Sequence, residues 1–124
     1  AVQVLGMRRV GRLLARTLFV KPEQDDLRRM FVRRWAQNDK QAYLQAMDAI
    51  MRWSVADRLG RIPTPTLLVS SDEDYTPVTA KRRMAARMPN AEVAVVGDAR
   101  HALPVERPAA FNATVEAFLP DPSS

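Results

Sequence analysis

Two short polar stretches hold the side chains able to do chemistry. Asp72-Glu73-Asp74 follows one apolar run, and Asp98-Ala99-Arg100-His101 follows another. His101 is the only histidine in the chain, so a mechanism that needs a base near neutral pH has one candidate. A carboxylate beside it would hold the imidazole in one tautomer, leave the other nitrogen free to take a proton, and stabilise the imidazolium once formed. Asp72, Glu73 and Asp74 are all candidates for that carboxylate on spacing alone. The bland alternatives are a solvated acidic loop and a loop histidine that satisfies a backbone carbonyl.

Other chemistries fit poorly. The chain contains no cysteine, which excludes disulfides, thiolate metal sites and cysteine nucleophiles. One histidine without cysteine makes a poor zinc site. The three acids lack the spacing and the turn glycine of a calcium loop. No metal and no cofactor is therefore expected.

The elements that position these loops begin after Gly60. Ile62-Pro63-Thr64-Pro65 is extended by its prolines, and Thr66–Ser70 is short and apolar enough for a buried strand. A helix follows the first loop, capped by Thr76 or Thr79, with Ala80, Met84, Ala85 and Met88 on its packed face. Pro89-Asn90 turns the chain into a second strand, Glu92–Val96. Pro108 opens a last helix carrying Phe111, Val115, Phe118 and Leu119. Strand, helix, strand, helix is a βαβα unit with parallel strands. Ligands of such sheets sit beyond the carboxyl ends of the strands, where both polar loops lie. Two parallel strands make a poor sheet by themselves, so the architecture asks for more strands than this sequence supplies.

Residues 1–60 read as helices. Val10, Leu13, Leu14 and Leu18 form a stripe on the first. Pro22 opens a second, with Leu27, Met30, Phe31 and Trp35 as its apolar side. Asn38 or Asp39 caps a third, whose buried side includes Tyr43, Met47, Ile50 and Met51, and a short helix runs from Ser54 to Leu59. Residues 1–34 hold nine Lys/Arg against three Asp/Glu, whereas residues 62–124 hold six against eight. Phe19, Phe31 and Trp35 fall at helical spacings instead of alternating with the basic residues, so a solvated helical face is expected and nucleic acid is not. No run approaches 18 apolar residues, and Arg8, Arg9, Arg12 and Arg16 interrupt the apolar start. The start is read as part of the fold and the location as cytoplasmic, with no membrane span.

Residues 62–77, Ile62-Pro63-Thr64-Pro65-Thr66-Leu67-Leu68-Val69-Ser70-Ser71-Asp72-Glu73-Asp74-Tyr75-Thr76-Pro77, resemble the α/β-hydrolase stretch I-x-x-P-T-L-hydrophobic-hydrophobic-x-G-x-x-D-x-x-x-P, with the last proline one position early. Arg82, Ala85 and Pro89 fall on that family's R-x-x-A-x-x-x-P. Val95–Ala102 looks like its histidine loop. Glu106-Arg107-Pro108-Ala109-Ala110-Phe111-Asn112 and Phe118-Leu119 match its closing E-x-P-x-x-F-x and F-L. The resemblance covers residues 62–119 and implies a partial α/β-hydrolase fold. It assigns the triad acid to Asp74 and the base to His101, with Asp72 too early for the pattern. Residues 1–60 resemble the helical cap of that family by order and helical content, residues 61–120 the C-terminal part of its core, and 121–124 a tail. Trp35, Tyr43, Met47 and Trp53 are then candidates to line an apolar substrate pocket.

Two positions depart from the pattern. Ser71 stands where glycine is common, and so does Arg100, just before the histidine; either could reshape the loops, or Arg100 could point to solvent. The nucleophile elbow G-x-S-x-G is absent. Ser70 and Ser71 are poor substitutes, because no pair of N–H donors for an oxyanion is evident beside them. The resemblance implies the C-terminal half of a serine-type hydrolase acting on a small apolar ester-like substrate, inactive as this chain alone. Its partner would be the missing N-terminal half of the core or a second copy of the chain. Haloperoxidase-like or epoxide-hydrolase-like chemistry of the same superfamily and a catalytically inactive association module remain as alternatives.

Overall fold

The computed structural model describes residues 6–120, so the tail expected at 121–124 lies outside the described residues. The chain forms two compact units, Ala1–Ser54 and Val55–Ser124.

The first unit is helical. Helix α1 spans Met7–Leu18, α2 spans Asp25–Ala36 after a 3-10 turn at Pro22–Gln24, and α3 spans Lys40–Arg52. The face that α1 buries keeps Val10 of the expected stripe, with Leu14 and Leu18 partly buried, but leaves Leu13 out. Met7, Val10, Gly11 and Ala15 are buried, whereas Leu13 is 53% exposed. The cause is size: the Trp35 side chain sits on Gly11 so closely that a β-carbon there would lie 2.9 Å from its ring. Gly11 thus admits Trp35 to the face lined by Met7, Val10 and Leu14, and Leu13 lies outside it. Trp35 in turn stacks on Phe31 at 5.1 Å and meets Tyr43 edge-on at 5.3 Å.

The turn between α1 and α2 is held by Arg28, whose guanidinium donates to the carbonyls of Phe19 and Lys21 at 2.6 and 2.9 Å. Asp39 caps α3 by accepting the Ala42 N–H at 2.7 Å. Only the start of α3 packs, through Tyr43 and Leu44. Met47, Ile50 and Met51, expected on its buried side, are exposed.

The second unit opens with a 3-10 helix at Ala56–Arg61, which runs through Gly60 instead of stopping before it. Strand β1 (Thr66–Ser71) pairs in parallel with β2 (Ala91–Val96), in register from Thr66 opposite Ala91 to Ser71 opposite Val96. Helix α4 (Val78–Ala85) forms the crossover, and a short α5 (Leu103–Glu106) and a longer α6 (Pro108–Phe118) follow β2. This is the expected βαβα unit with α5 added. Val96, Ala99 and Leu103 form its buried centre, with Val69, Ala110 and Phe111 packed around them. Neither Thr76 nor Thr79 caps α4. Extended Pro77 takes the N-cap position, with no side-chain cap. Met84, expected on the packed face, is 43% exposed, while Ala85 is buried.

Candidate acid–base site

Because Ser71 and Val96 are partners in the parallel ladder, β1 and β2 release their polar loops side by side. Backbone bonds tie the loops at once: the Asp72 N–H donates to Val96 at 3.1 Å and the Glu73 N–H to Ala99 at 3.1 Å. The Asp72 carboxylate accepts the N–H groups of Asp98 and Ala99 at 3.0 and 3.2 Å. Those donors, Asp98's first, hold its carboxyl below the usual carboxylate range. Asp98 itself sits at φ +54°, a left-handed conformation that aspartate tolerates better than most residues. Asp72 is thus occupied in shaping the second loop.

The two departures from the family pattern serve the same end. The Ser71 hydroxyl donates to the Arg100 carbonyl. The Arg100 N–H donates to Glu106 at 3.1 Å, and its guanidinium pairs with Glu73 at 2.8 Å. Arg100 therefore lies across the two loops, with its guanidinium on Glu73 at the surface. Ser70 and Ser71 are 1% and 4% exposed, and each donates its hydroxyl to a backbone carbonyl. A nucleophile must be reachable, and neither is.

The loops so fixed bring Asp74 and His101 together. Asp74 Oδ1 lies 3.0 Å from His101 Nδ1. The second carboxylate oxygen accepts the Lys81 ammonium at 2.8 Å, and Lys81 also donates to the Thr76 carbonyl. Burial is the largest influence on Asp74 and pushes its carboxyl up. The bonds from Lys81, His101 and the Thr76 N–H, with the Lys81 charge, together outweigh it, so the net shift is downward. An ionised carboxylate only accepts, so in the neutral form of the imidazole this contact puts the proton on Nδ1 and the lone pair on Nε2.

That lone pair faces Tyr75, whose hydroxyl lies 2.5 Å from Nε2 with its ring 4.1 Å from the imidazole. Shielding of the hydroxyl first, and the Asp74 charge second, raise the phenol above its ordinary value, so it stays a donor. The arrangement is an imidazole held at Nδ1 by a carboxylate and met at Nε2 by one exposed aromatic hydroxyl, a geometry that can accept a proton at Nε2 once the phenol moves aside.

Sequence reasoning missed Tyr75, Lys81 and Glu106. Lys81 left a signal: a cation at the first turn of a helix opposes the helix dipole and calls for a nearby carboxylate. The other two left none, because their partners are set by backbone turns. The suggested pocket residues do not form a common lining: Trp35 and Tyr43 pack inside the first unit, while Met47 and Trp53 are 39% and 69% exposed. Among the described residues no group of three or more histidine and acidic side chains is arranged to hold a metal ion. No described helix is long and apolar enough to cross a membrane.

Comparison with known families gives a match between residues 2–114 and the Alpha/beta hydrolase family. The chain belongs to that family. Curated relatives of this hydrolase-family chain include proteins named "Putative carbamate hydrolase RutD". The one from Caulobacter sp. (strain K31) is 34% identical over 59% of this chain and 28% of its own length. The one from Rhizobium rhizogenes is 36% identical over 61% of this chain and 29% of its own. Among solved structures, the enol-lactonase from Burkholderia xenovorans LB400 matches with a TM-score of 0.85 and 22% identity, over 94% of this chain and 46% of that one. Est816, an N-acyl homoserine lactone degrading enzyme, matches with a TM-score of 0.76 and 26% identity, over 96% of this chain and 49% of that one. The hydrolase-family chain thus spans under a third of these curated relatives and about half of these solved structures.

Proposed function

We propose that this chain is the acid- and base-bearing part of a serine-type hydrolase acting on an ester, lactone or carbamate, with Asp74 as the acid and His101 as the base. In this reading residues 1–60 are the cap and its connecting helix, 61–120 the C-terminal part of the core, and 121–124 a tail. The observation that carries it is the 3.0 Å contact from Asp74 to His101 Nδ1, with Nε2 met by the hydroxyl of the exposed Tyr75. The names of the relatives favour an acyl carbon as the point of attack over an epoxide or a peroxidase reaction.

The chemistry follows from that geometry. A serine hydroxyl from outside residues 1–124 takes the place at Nε2 that the Tyr75 phenol holds, and His101 accepts its proton as the oxygen bonds to the substrate carbonyl carbon. The carbonyl electron pair moves onto its oxygen, then returns and expels the leaving group, which takes the proton back from His101. Water, deprotonated by the same nitrogen, attacks the acyl carbon; the second tetrahedral intermediate collapses, the bond from that carbon to the serine oxygen breaks, the serine oxygen takes the proton back from His101, and the acid product leaves. Asp74 keeps Nδ1 protonated and stabilises the imidazolium in both half-reactions.

The test is turnover by the whole protein of a small panel: an aryl ester, a lactone and a carbamate. Hydrolysis of at least one, lost in His101→Ala, is the expected result. Turnover that survives His101→Ala would overturn the assignment. A second reading, a non-catalytic association module, draws on one observation: the described sheet consists of β1 and β2 alone, which leaves one edge of each unpaired. Absence of turnover together with a stable complex through that edge would favour it.

A further inference from the structure

We infer that Lys81 is a positioning residue for the acid–base pair, an inference that rests on the reading of Asp74 and His101 given above. Lys81 and Asp74 are 16% and 10% exposed at their side chains, the most covered ion pair in the second unit. Lys81 has two fixed acceptors, Asp74 Oδ2 at 2.8 Å and the Thr76 carbonyl, which locate its ammonium independently of His101. It extends from the first turn of α4, the crossover helix between the two strands that carry the site.

Two physical consequences follow from that placement. A carboxylate can rotate about its last bond, and a ligand on one oxygen sets the direction of the other. With Oδ2 held by Lys81, Oδ1 faces His101 Nδ1. The second consequence concerns charge. Burial drives Asp74 toward its protonated form, and a protonated carboxyl is a weaker acceptor with a donor of its own. The Lys81 ammonium opposes that drive and keeps Asp74 an acceptor. Lys81 thereby acts on the imidazole tautomer through Asp74, touching neither the imidazole nor the face where Nε2 opens.

In nitrogen-15 NMR of the whole protein, the ring nitrogens of His101 are assigned by the signals that vanish in His101→Gln. The measurement uses a Tyr75→Phe background, which removes the other hydrogen bond to the ring and leaves Asp74 to set the tautomer. At a pH where the imidazole is neutral, the Nδ1–H form should dominate. Lys81→Met should lower the ratio of Nδ1–H to Nε2–H roughly fivefold, a size that losing a hydrogen bond of ordinary strength supports. Lys81→Arg should restore it. Asp74→Asn separates the two readings. If Asp74→Asn leaves the ratio unchanged, the Asp74–His101 pairing itself is wrong. If Asp74→Asn lowers the ratio and Lys81→Met does not, the pairing stands and the role of Lys81 falls. A ratio lowered equally by Lys81→Met and Lys81→Arg would show a structural disturbance and also overturn the proposal.

Discussion

The two units of this chain use charged side chains differently. In the helical unit Arg28 and Arg29 pair with Asp25 and Asp26, and Arg52 with Asp48, each within one helix at a separation of three or four residues. Such exposed pairs are screened by water and add little to the stability of the helix that carries them. In the strand-bearing unit the pairs tie loops to each other or to the following helices: Arg100 with Glu73 across the two loops, Lys81 on α4 with Asp74, and Arg107 with Asp98. Local pairs decorate an element that its sequence already specifies. Long-range pairs hold backbone segments that have no regular hydrogen bonding of their own, and a site on loops needs that support. The candidate acid–base pair and the loop bracing therefore occur in the same unit.

Changes that attack the loops should separate the units most. Asp74→Asn in the whole protein should lower kcat/KM by roughly 10⁴, by analogy with other acid–base–nucleophile triads, whereas Asp48→Ala on α3 should leave it within about twofold. Steady-state kinetics on the two variants checks both, and equal losses would break the comparison. Leu103→Ala empties part of the small core beneath the histidine loop. It should destabilise the second unit by about 2–4 kcal/mol, read from the denaturant midpoint of its amide signals.

Acid should also distinguish the units. Asp72 and Asp74 both lie below their ordinary values in the folded chain. A depressed carboxylate contributes stability that is fully present above its unfolded value and is lost as pH falls through its folded value. The second unit should therefore weaken progressively as the pH drops below the ordinary carboxylate range. Asp72→Ala should flatten that dependence, as amide signals followed from neutral to acidic pH would register. The smallest effect belongs to the helical unit: Asp39→Ala, which removes the α3 cap, should cost about 1 kcal/mol in thermal or chemical unfolding and leave the His101 signals unmoved.

Legibility in the sequence also differed between the units. Apolar runs bounded by prolines and polar loops marked both strands and their parallel order, because a buried strand tolerates little else. Asp74 was separable from Asp72 only through the family pattern; spacing gave no preference, and the reason emerges in the fold, where backbone donors of the second loop occupy Asp72. The helical faces were less readable. Their rotation follows from Gly11 admitting Trp35, a contact between residues on two helices that periodicity along one cannot show. Tyr75 was invisible for a related reason, since the turn after Asp74 brings it back to the site, whereas Lys81 left only the mark of a cation at the start of a helix.

The most direct measurement is labelling of the whole protein with a fluorophosphonate probe, followed by intact and peptide mass analysis. The account predicts one adduct, on a serine outside residues 1–124, that disappears in His101→Ala while the fold survives. Labelling that persists without His101, or an adduct on Ser70 or Ser71, would contradict it.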